Sequence, residues 1–324
     1  MTVDKILYIE APDGISGDMT LGALIDLGVD VRALAGELDK IIPGEYSLSP
    51  RPFERNGIHG INLDVIVNDF TDPDPQASER KGHAIGHEHG HGHESGHEYE
   101  SGHEHGHGHE HEHGHGHEHG HESGHEYESG HEHEHEHEHE HEHGHGHRRY
   151  SDIKAMIVGS DISGRAKARA LAIFDVIAEA EAAVHQVAKE DVAFHEVGAL
   201  DSIIDIVGTA IATDILGVTE FYCSAPRDGS GTIVCQHGVI PVPAPAVMKM
   251  AEGAGIPIII EGEVDTEMVT PTGFGIIKGL GAIFEPHLGI LPEKTGYGFG
   301  KRDTGRLGAV RLTLGKKYEE KAQG

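Results

Sequence analysis

The chain has 324 residues, with 55 acidic against 25 basic side chains, a formal net charge of −30, 31 histidines, two cysteines and no tryptophan. So acidic a balance excludes a strong nucleic-acid binder, which needs Lys and Arg to neutralise phosphates. Two cysteines without a CxxC spacing exclude a disulfide framework or a cysteine-rich structural zinc site.

No apolar run approaches the roughly 18 residues of a membrane span. Asp4 and Glu10 flank the first apolar segment where a signal peptide would have a basic region. A soluble, cytoplasmic protein without membrane or nucleic-acid partners is expected.

In chain order, KILYIE at 5–10 reads as a strand that stops at Pro12, Asp13 and Gly14. Met19, Leu21, Ala23, Leu24 and Leu27 predict a short amphipathic helix with Ser16 as cap and Gly28 as stop. A second helix is expected over 31–42, then two extended runs at 46–53 and 58–68 around Asn56-Gly57, a strong hairpin signal. TDPDPQ at 71–76 ends the ordered pattern.

Between His83 and His147 lie 26 of the 31 histidines and 17 glutamates with no Lys or Arg, so 17 of the 30 net negative charges are concentrated there. Ala84, Ile85, Tyr99 and Tyr127 are its sizeable non-polar side chains. They cannot offset a backbone-ordering cost of roughly 1–2 kcal/mol per residue, so a disordered insertion is expected.

Order is predicted to resume at Tyr150, with Ser151 as cap. Helices follow over 163–187 and 199–216, and two short strands within 221–242 bracket a turn at Asp228–Gly231. Pro241, Pro243 and Pro245 introduce a helix through Met250. A strand over 257–260, a helix over 271–283 and a closing strand over 307–314 complete the pattern. Interleaved helices and strands predict a mixed α/β (α+β) fold, a mixed sheet with flanking helices interrupted by the His/Glu-rich insertion. Residues 1–70 and 150–315 would form one composite domain, 71–149 the insertion and 316–324 a tail.

Four constellations carry chemistry. The tract's HGH and HEH spacings, typified by His105 with His107 and His133 with His135, suit nickel, copper or zinc in several exchanging sites. Its rings titrate near about pH 6.5, so metal occupancy should fall as the pH drops through that region.

FHEVGALDSIIDIVG at 194–208 places His195 and Glu196 before a helix whose Asp201 and Asp205 share a face. These four are candidate metal or acid/base residues. The plainer reading has Asp201 stabilising a helix N-terminus and His195 packing in the core.

GSGTIVCQHGVIPVPAP at 229–245 sets Cys235 and His237 two residues apart, a nickel-compatible pair or a buried thiol beside a turn histidine. GISGDM and VTPTG supply Gly14, Ser16, Gly17, Asp18, Thr270 and Thr272. These helix starts could meet a phosphate, with Asp18 suiting one that brings a metal ion. A Thr followed by Pro is also an ordinary helix start.

GISGDM, FHEVGALDSIIDIVG, GSGT with HGVIPVPAP, VTPTG and GYGFGKRD at 296–303 occur in the order found in the LarC family of nickel-insertion proteins, which the chain resembles. The histidine-rich insertion is similar too. The resemblance implies CTP-dependent insertion of Ni2+ into pyridinium-3,5-bisthiocarboxylic acid mononucleotide, a lyase-class cyclometallation that forms nickel–sulfur and nickel–carbon bonds.

The ring proton lost in that step needs a base, Glu196 or His195. The resemblance also implies CTP, with Mg2+ or Mn2+, on a carboxy-terminal domain, here expected as a separately encoded partner, and a homo-oligomer is expected. EAPDGISGDM departs from the family start in carrying Ala11 where members commonly have cysteine. The alternative function is a non-catalytic nickel store or chaperone acting through the tract.

Overall fold

The computed structural model describes residues 5–67, 148–194 and 197–318. Strand β1 (Ile6–Glu10) leads through a glycine turn into α1 (Gly17–Asp26), followed by α2 (Val31–Leu38) and a hairpin of β2 (Tyr46–Arg55) and β3 (Ile58–Val67). After the tract come α3 (Tyr150–Gly159), α4 (Gly164–His185) and α5 (Leu200–Ile215). Short strands β4 (Glu220–Cys223), β5 (Arg227–Asp228), β6 (Thr232–Cys235) and β7 (Gly238–Pro241) precede α6 (Pro245–Ala251). Then β8 (Ile259–Ile260), α7 (Pro271–Gly279), β9 (Ile283–Phe284), β10 (Ile290–Phe299) and β11 (Ala309–Lys317) close the chain.

Seven strands form one mixed sheet in the order β2-β3-β10-β11-β1-β4-β9. β1 runs antiparallel to β11 and parallel to β4, so strands from both sides of the tract share the sheet. The expected α+β class with a mixed sheet is what the chain adopts.

Local chemistry explains the elements. Asn56 and Gly57 both take positive φ, 55° and 76°, as a tight hairpin turn requires. Asp30 caps α2 by accepting from Ala33 N–H at 2.8 Å, and Ser163 caps α4 by accepting from Ala166 N–H at 3.0 Å. Helices α1 and α5 are apolar around most of their circumference because both are interior: α1 packs on β3 and β10, and α5 packs on α1 with α4 beyond it.

Two expectations need correction, and one strand was unforeseen. Helix α3 starts after Arg149, whose N–H is accepted by the Asp152 carboxylate at 3.3 Å, so Ser151 is not the cap. The expected turn at 228–231 lies between β5 and β6, and the next, tight turn at Gln236 and His237 joins β6 to β7. The helix expected to reach residue 283 stops at Gly279, and Ile283 pairs with Tyr222 in the sheet. Strand β10, unforeseen because its ILPEKTGYGF sequence has little β character, sits between β3 and β11.

Its glycines have a tertiary purpose. A Cβ on Gly298 would lie 1.8 Å from the Met19 carbonyl oxygen, so this position lets α1 lie directly on the strand. Gly298→Ala should therefore lower stability by about 2 kcal/mol or more through overpacking, read as a shift in urea midpoint. An unchanged midpoint would contradict this packing.

Candidate functional site

Three helices begin around one cleft. Ser16, Gly17 and Asp18 at the start of α1, Asp201 and Asp205 in the first turns of α5, and Thr270 and Thr272 at the start of α7 line it together with Lys301. Ile15 joins two of these starts, because its N–H donates to the Met268 carbonyl at 2.9 Å and its carbonyl accepts from Thr270 N–H at 3.0 Å.

Asp228 holds the second strap of this junction. Its fully buried carboxylate accepts N–H bonds from Met268 at 2.7 Å, Val269 at 3.0 Å and Gly229 at 2.8 Å. Burial pushes its pKa up, against the lowering effect of those amides. Thr270 caps α7 through Gly273 N–H at 3.1 Å and lies 2.8 Å from the Thr272 hydroxyl. Ser16 stands at the N-cap of α1 with its hydroxyl turned onto the Asp18 carboxylate, which also accepts Met19 N–H at 2.9 Å.

Asp205 is only 8 % exposed, and its Oδ1 has no hydrogen-bond partner among the described residues. Gly17 makes room for it, since a Cβ there would come within 2.7 Å of the Asp205 Cβ and Oδ2. Burial first, then the charges of Asp18 and Asp201, push the Asp205 carboxyl well above the usual range, with Lys301 opposing. Lys301 lies 3.6 Å from Asp18 and 3.2 Å from Asp64. Burial alone would lower its pKa, but Asp18, Asp64 and Asp205 raise it.

A second cleft has different donors. Cys235 ends β6 and His237 lies in the β6–β7 turn, with Sγ 3.8 Å from Nδ1. The His237 ring lies against His185, the last residue of α4, at 4.9 Å between centroids, and His185 Nε2 is 3.4 Å from the Glu181 carboxylate. All four line one cleft with Phe194 and Val197. Cys223, by contrast, is a core thiol in β4 whose burial pushes its pKa up to about 12.

The two clefts adjoin. Glu267, buried and held by Arg302 at 3.3 Å, lines the Cys235 cleft and also an intermediate one shared with Ser16, Asp18, Thr270 and Lys301. The result is a run of surface with thiol and imidazole at one end and hydroxyls, carboxylates and an ammonium at the other. Gly14 belongs to the junction behind it, and Ala11 is fully buried with its N–H donated to Ser224 at 3.1 Å.

His195 and Glu196 lie outside the described residues, as do His105, His107, His133 and His135. Among the described residues no group of three His, Cys, Asp or Glu side chains is already arranged around a metal position. Sequence reading missed Lys301, Glu267, His185 and Glu181. The GYGFGKRD motif contained Lys301, but nothing in it marks which side chain turns toward Asp18.

Asp205 yields a prediction with a definite sign. Its unfolded carboxyl titrates at about 4 and the folded one well above, so the chain loses stability as the pH rises from the first value through the second. Asp205→Asn removes that loss, so the ligand-free variant should melt higher at pH 7.5, by about 2–4 °C per kcal/mol relieved, with the gap closing toward pH 4. A lower melting temperature at pH 7.5 would contradict the geometry.

The sequence profile of a family described as nickel insertion protein matches residues 7–324. The chain is 37% identical over 316 residues to the pyridinium-3,5-bisthiocarboxylic acid mononucleotide nickel insertion protein of Acetivibrio thermocellus, covering 98% of this chain and 61% of that relative. It is 41% identical over 314 residues to the protein of the same name from Lactiplantibacillus plantarum, covering 97% and 62%. With the namesake from Geobacillus kaustophilus it shares 34% identity over 314 residues, covering 96% and 60%. The chain thus spans about three-fifths of the length of these relatives. No solved structure matches it significantly. Spanning nearly all of this sequence, the profile match and these identities show that the chain belongs to the nickel insertion protein family.

Proposed function

We propose that this chain inserts Ni2+ into a pyridinium-3,5-bisthiocarboxylic acid mononucleotide, the reaction for which its relatives are named. The observation that carries this reading is the adjoining pair of clefts, whose ends differ in the way the two substrates differ. Thiolate and imidazole suit nickel, while helix N-termini, hydroxyls and Lys301 suit the phosphate end of a nucleotide. The pyridinium ring then lies past Glu267 with its sulfurs toward Cys235, His237 and His185.

Nickel exchanges its protein ligands for the sulfurs of the nucleotide. As the nickel–carbon bond forms, the ring carbon loses its proton to a base, assigned here to Glu196 or His195, whose chain neighbours Phe194 and Val197 line the nickel end. Asp201 and Asp205 belong to the phosphate end in this reading. Residues 1–70 and 150–315 act as one composite domain, with 71–149 as a nickel-gathering insertion. The finer features are a cytoplasmic, lyase-class, CTP-dependent reaction in a homo-oligomer, with CTP and its Mg2+ or Mn2+ on a carboxy-terminal region outside this cleft, in this polypeptide or a partner.

The histidine content favours a second reading, a nickel store acting through the tract. One assay separates the two: nickelated nucleotide is measured from purified chain, Ni2+, the bisthiocarboxylate nucleotide, CTP and the carboxy-terminal region. The insertion reading predicts that the chain lacking 83–147 keeps its rate at saturating nickel. Cys235→Ser and His237→Ala should each lose tenfold or more even there. A store predicts no product from any of them and loss of nearly all nickel capacity with the tract.

A further inference from the structure

The phosphate end gathers more carboxyl groups than a bare anion tolerates. Asp18, Asp201 and Asp205 line it against one ammonium among the described lining residues, and Lys301 is shared with Asp64. A phosphate entering alone would meet carboxylates at the same helix starts that attract it. Asp205 sharpens the conflict, because the protein keeps a nine-tenths buried carboxylate there and leaves Oδ1 without a partner among the described residues. A core that merely needed filling would not place an acid at this point.

We propose that Asp18 and Asp205 bind a hard divalent cation of the Mg2+ class, distinct from the nickel substrate, and that this cation seats a phosphate at the starts of α1, α5 and α7. The donors fit. They are carboxylate and hydroxyl oxygens, with Ser16 beside Asp18 and neither sulfur nor imidazole among the described lining residues, a set that suits Mg2+ or Mn2+ over nickel. Mg2+ characteristically takes one or two carboxylates and completes its octahedron with water and substrate phosphate. Lys301 then neutralises Asp18 until the cation arrives and afterwards faces the phosphate. The inference rests on the mononucleotide reading for what carries the phosphate; the cation itself rests on the residues.

The test titrates Mn2+, a paramagnetic stand-in for Mg2+, into the full chain and follows free Mn2+ by electron paramagnetic resonance. It is run with and without nicotinic acid mononucleotide as a pyridinium mononucleotide probe. The histidine tract has the same sequence in every variant and Mn2+ stands lowest in the affinity order of such ligands, so its contribution is a common background. The proposal expects one site that excess Mg2+ displaces, that the nucleotide tightens, and that Asp205→Asn and Asp18→Asn each weaken tenfold or more. Lys301→Met should tighten Mn2+ binding without nucleotide, since it removes a competing positive charge.

Wild-type affinity in both aspartate variants, or weakened metal-only binding in Lys301→Met, overturns the proposal. Melting curves report whether each variant folds, and Asp18→Asn carries the test if Asp205→Asn does not. Nickel titration of the same variants keeps the two readings apart. Unchanged nickel affinity with lost Mn2+ affinity supports two separate sites, whereas parallel loss of both overturns the separation.

Discussion

The close approach of α1 and α5 at Gly17 is the constraint on which the site depends. With no side chain at that position, the Asp205 carboxylate lies against the first turn of α1, and two helix starts share one cleft. The bridge from Ile15 to Val269 adds the third start, and the Asp228 carboxylate fixes that bridge from beneath through three amide hydrogens. On the other side, the glycines of β10 let α1 settle onto the sheet and bring Lys301, two residues past the strand, to the same carboxylates. The polar end of the cleft is thus set by close approaches at Gly17 and Gly298 that leave no room for a Cβ, which ties residues from four distant stretches of sequence into one place.

Those approaches also explain what the sequence reveals and what it hides. GISGDM reads as a strand-to-helix turn because glycine, a small polar cap and an acidic first turn are local signals, and α1 forms there. Asp201 and Asp205 are four apart on a helix, so their common face is legible from spacing alone. The pairing of Asp205 with Gly17 is not legible, because it depends on how two helices nearly two hundred residues apart are packed. His185 was hidden for a similar reason. It ends an alanine-rich helix and becomes interesting only when the β6–β7 turn brings His237 against it. Strand β10 shows the same limit at the level of fold: with Pro292, Glu293, Lys294 and two glycines, its extended conformation comes from its neighbours in the sheet rather than from its own preferences.

The chemistry at the two ends follows ligand softness. Sulfur and imidazole collect where nickel would be handled, while oxygen donors and helix dipoles collect where a phosphate would sit, with the buried Glu267 and its Arg302 contact between them. An interior carboxylate with an unused oxygen is costly to the ligand-free fold, a familiar trade of stability for function. In the proposed reading the histidine tract adds nickel capacity, because its repeated HGH and HEH units offer many chemically similar ligands.

The central claim of the proposed function is that residues outside the tract hold nickel through Cys235. Nickel-edge X-ray absorption on the chain lacking 83–147, loaded with one equivalent of Ni2+ and no nucleotide, tests it most directly. The account predicts a sulfur scatterer beside imidazole nitrogens, lost in Cys235→Ser. A spectrum with nitrogen and oxygen alone in the unsubstituted protein would contradict it.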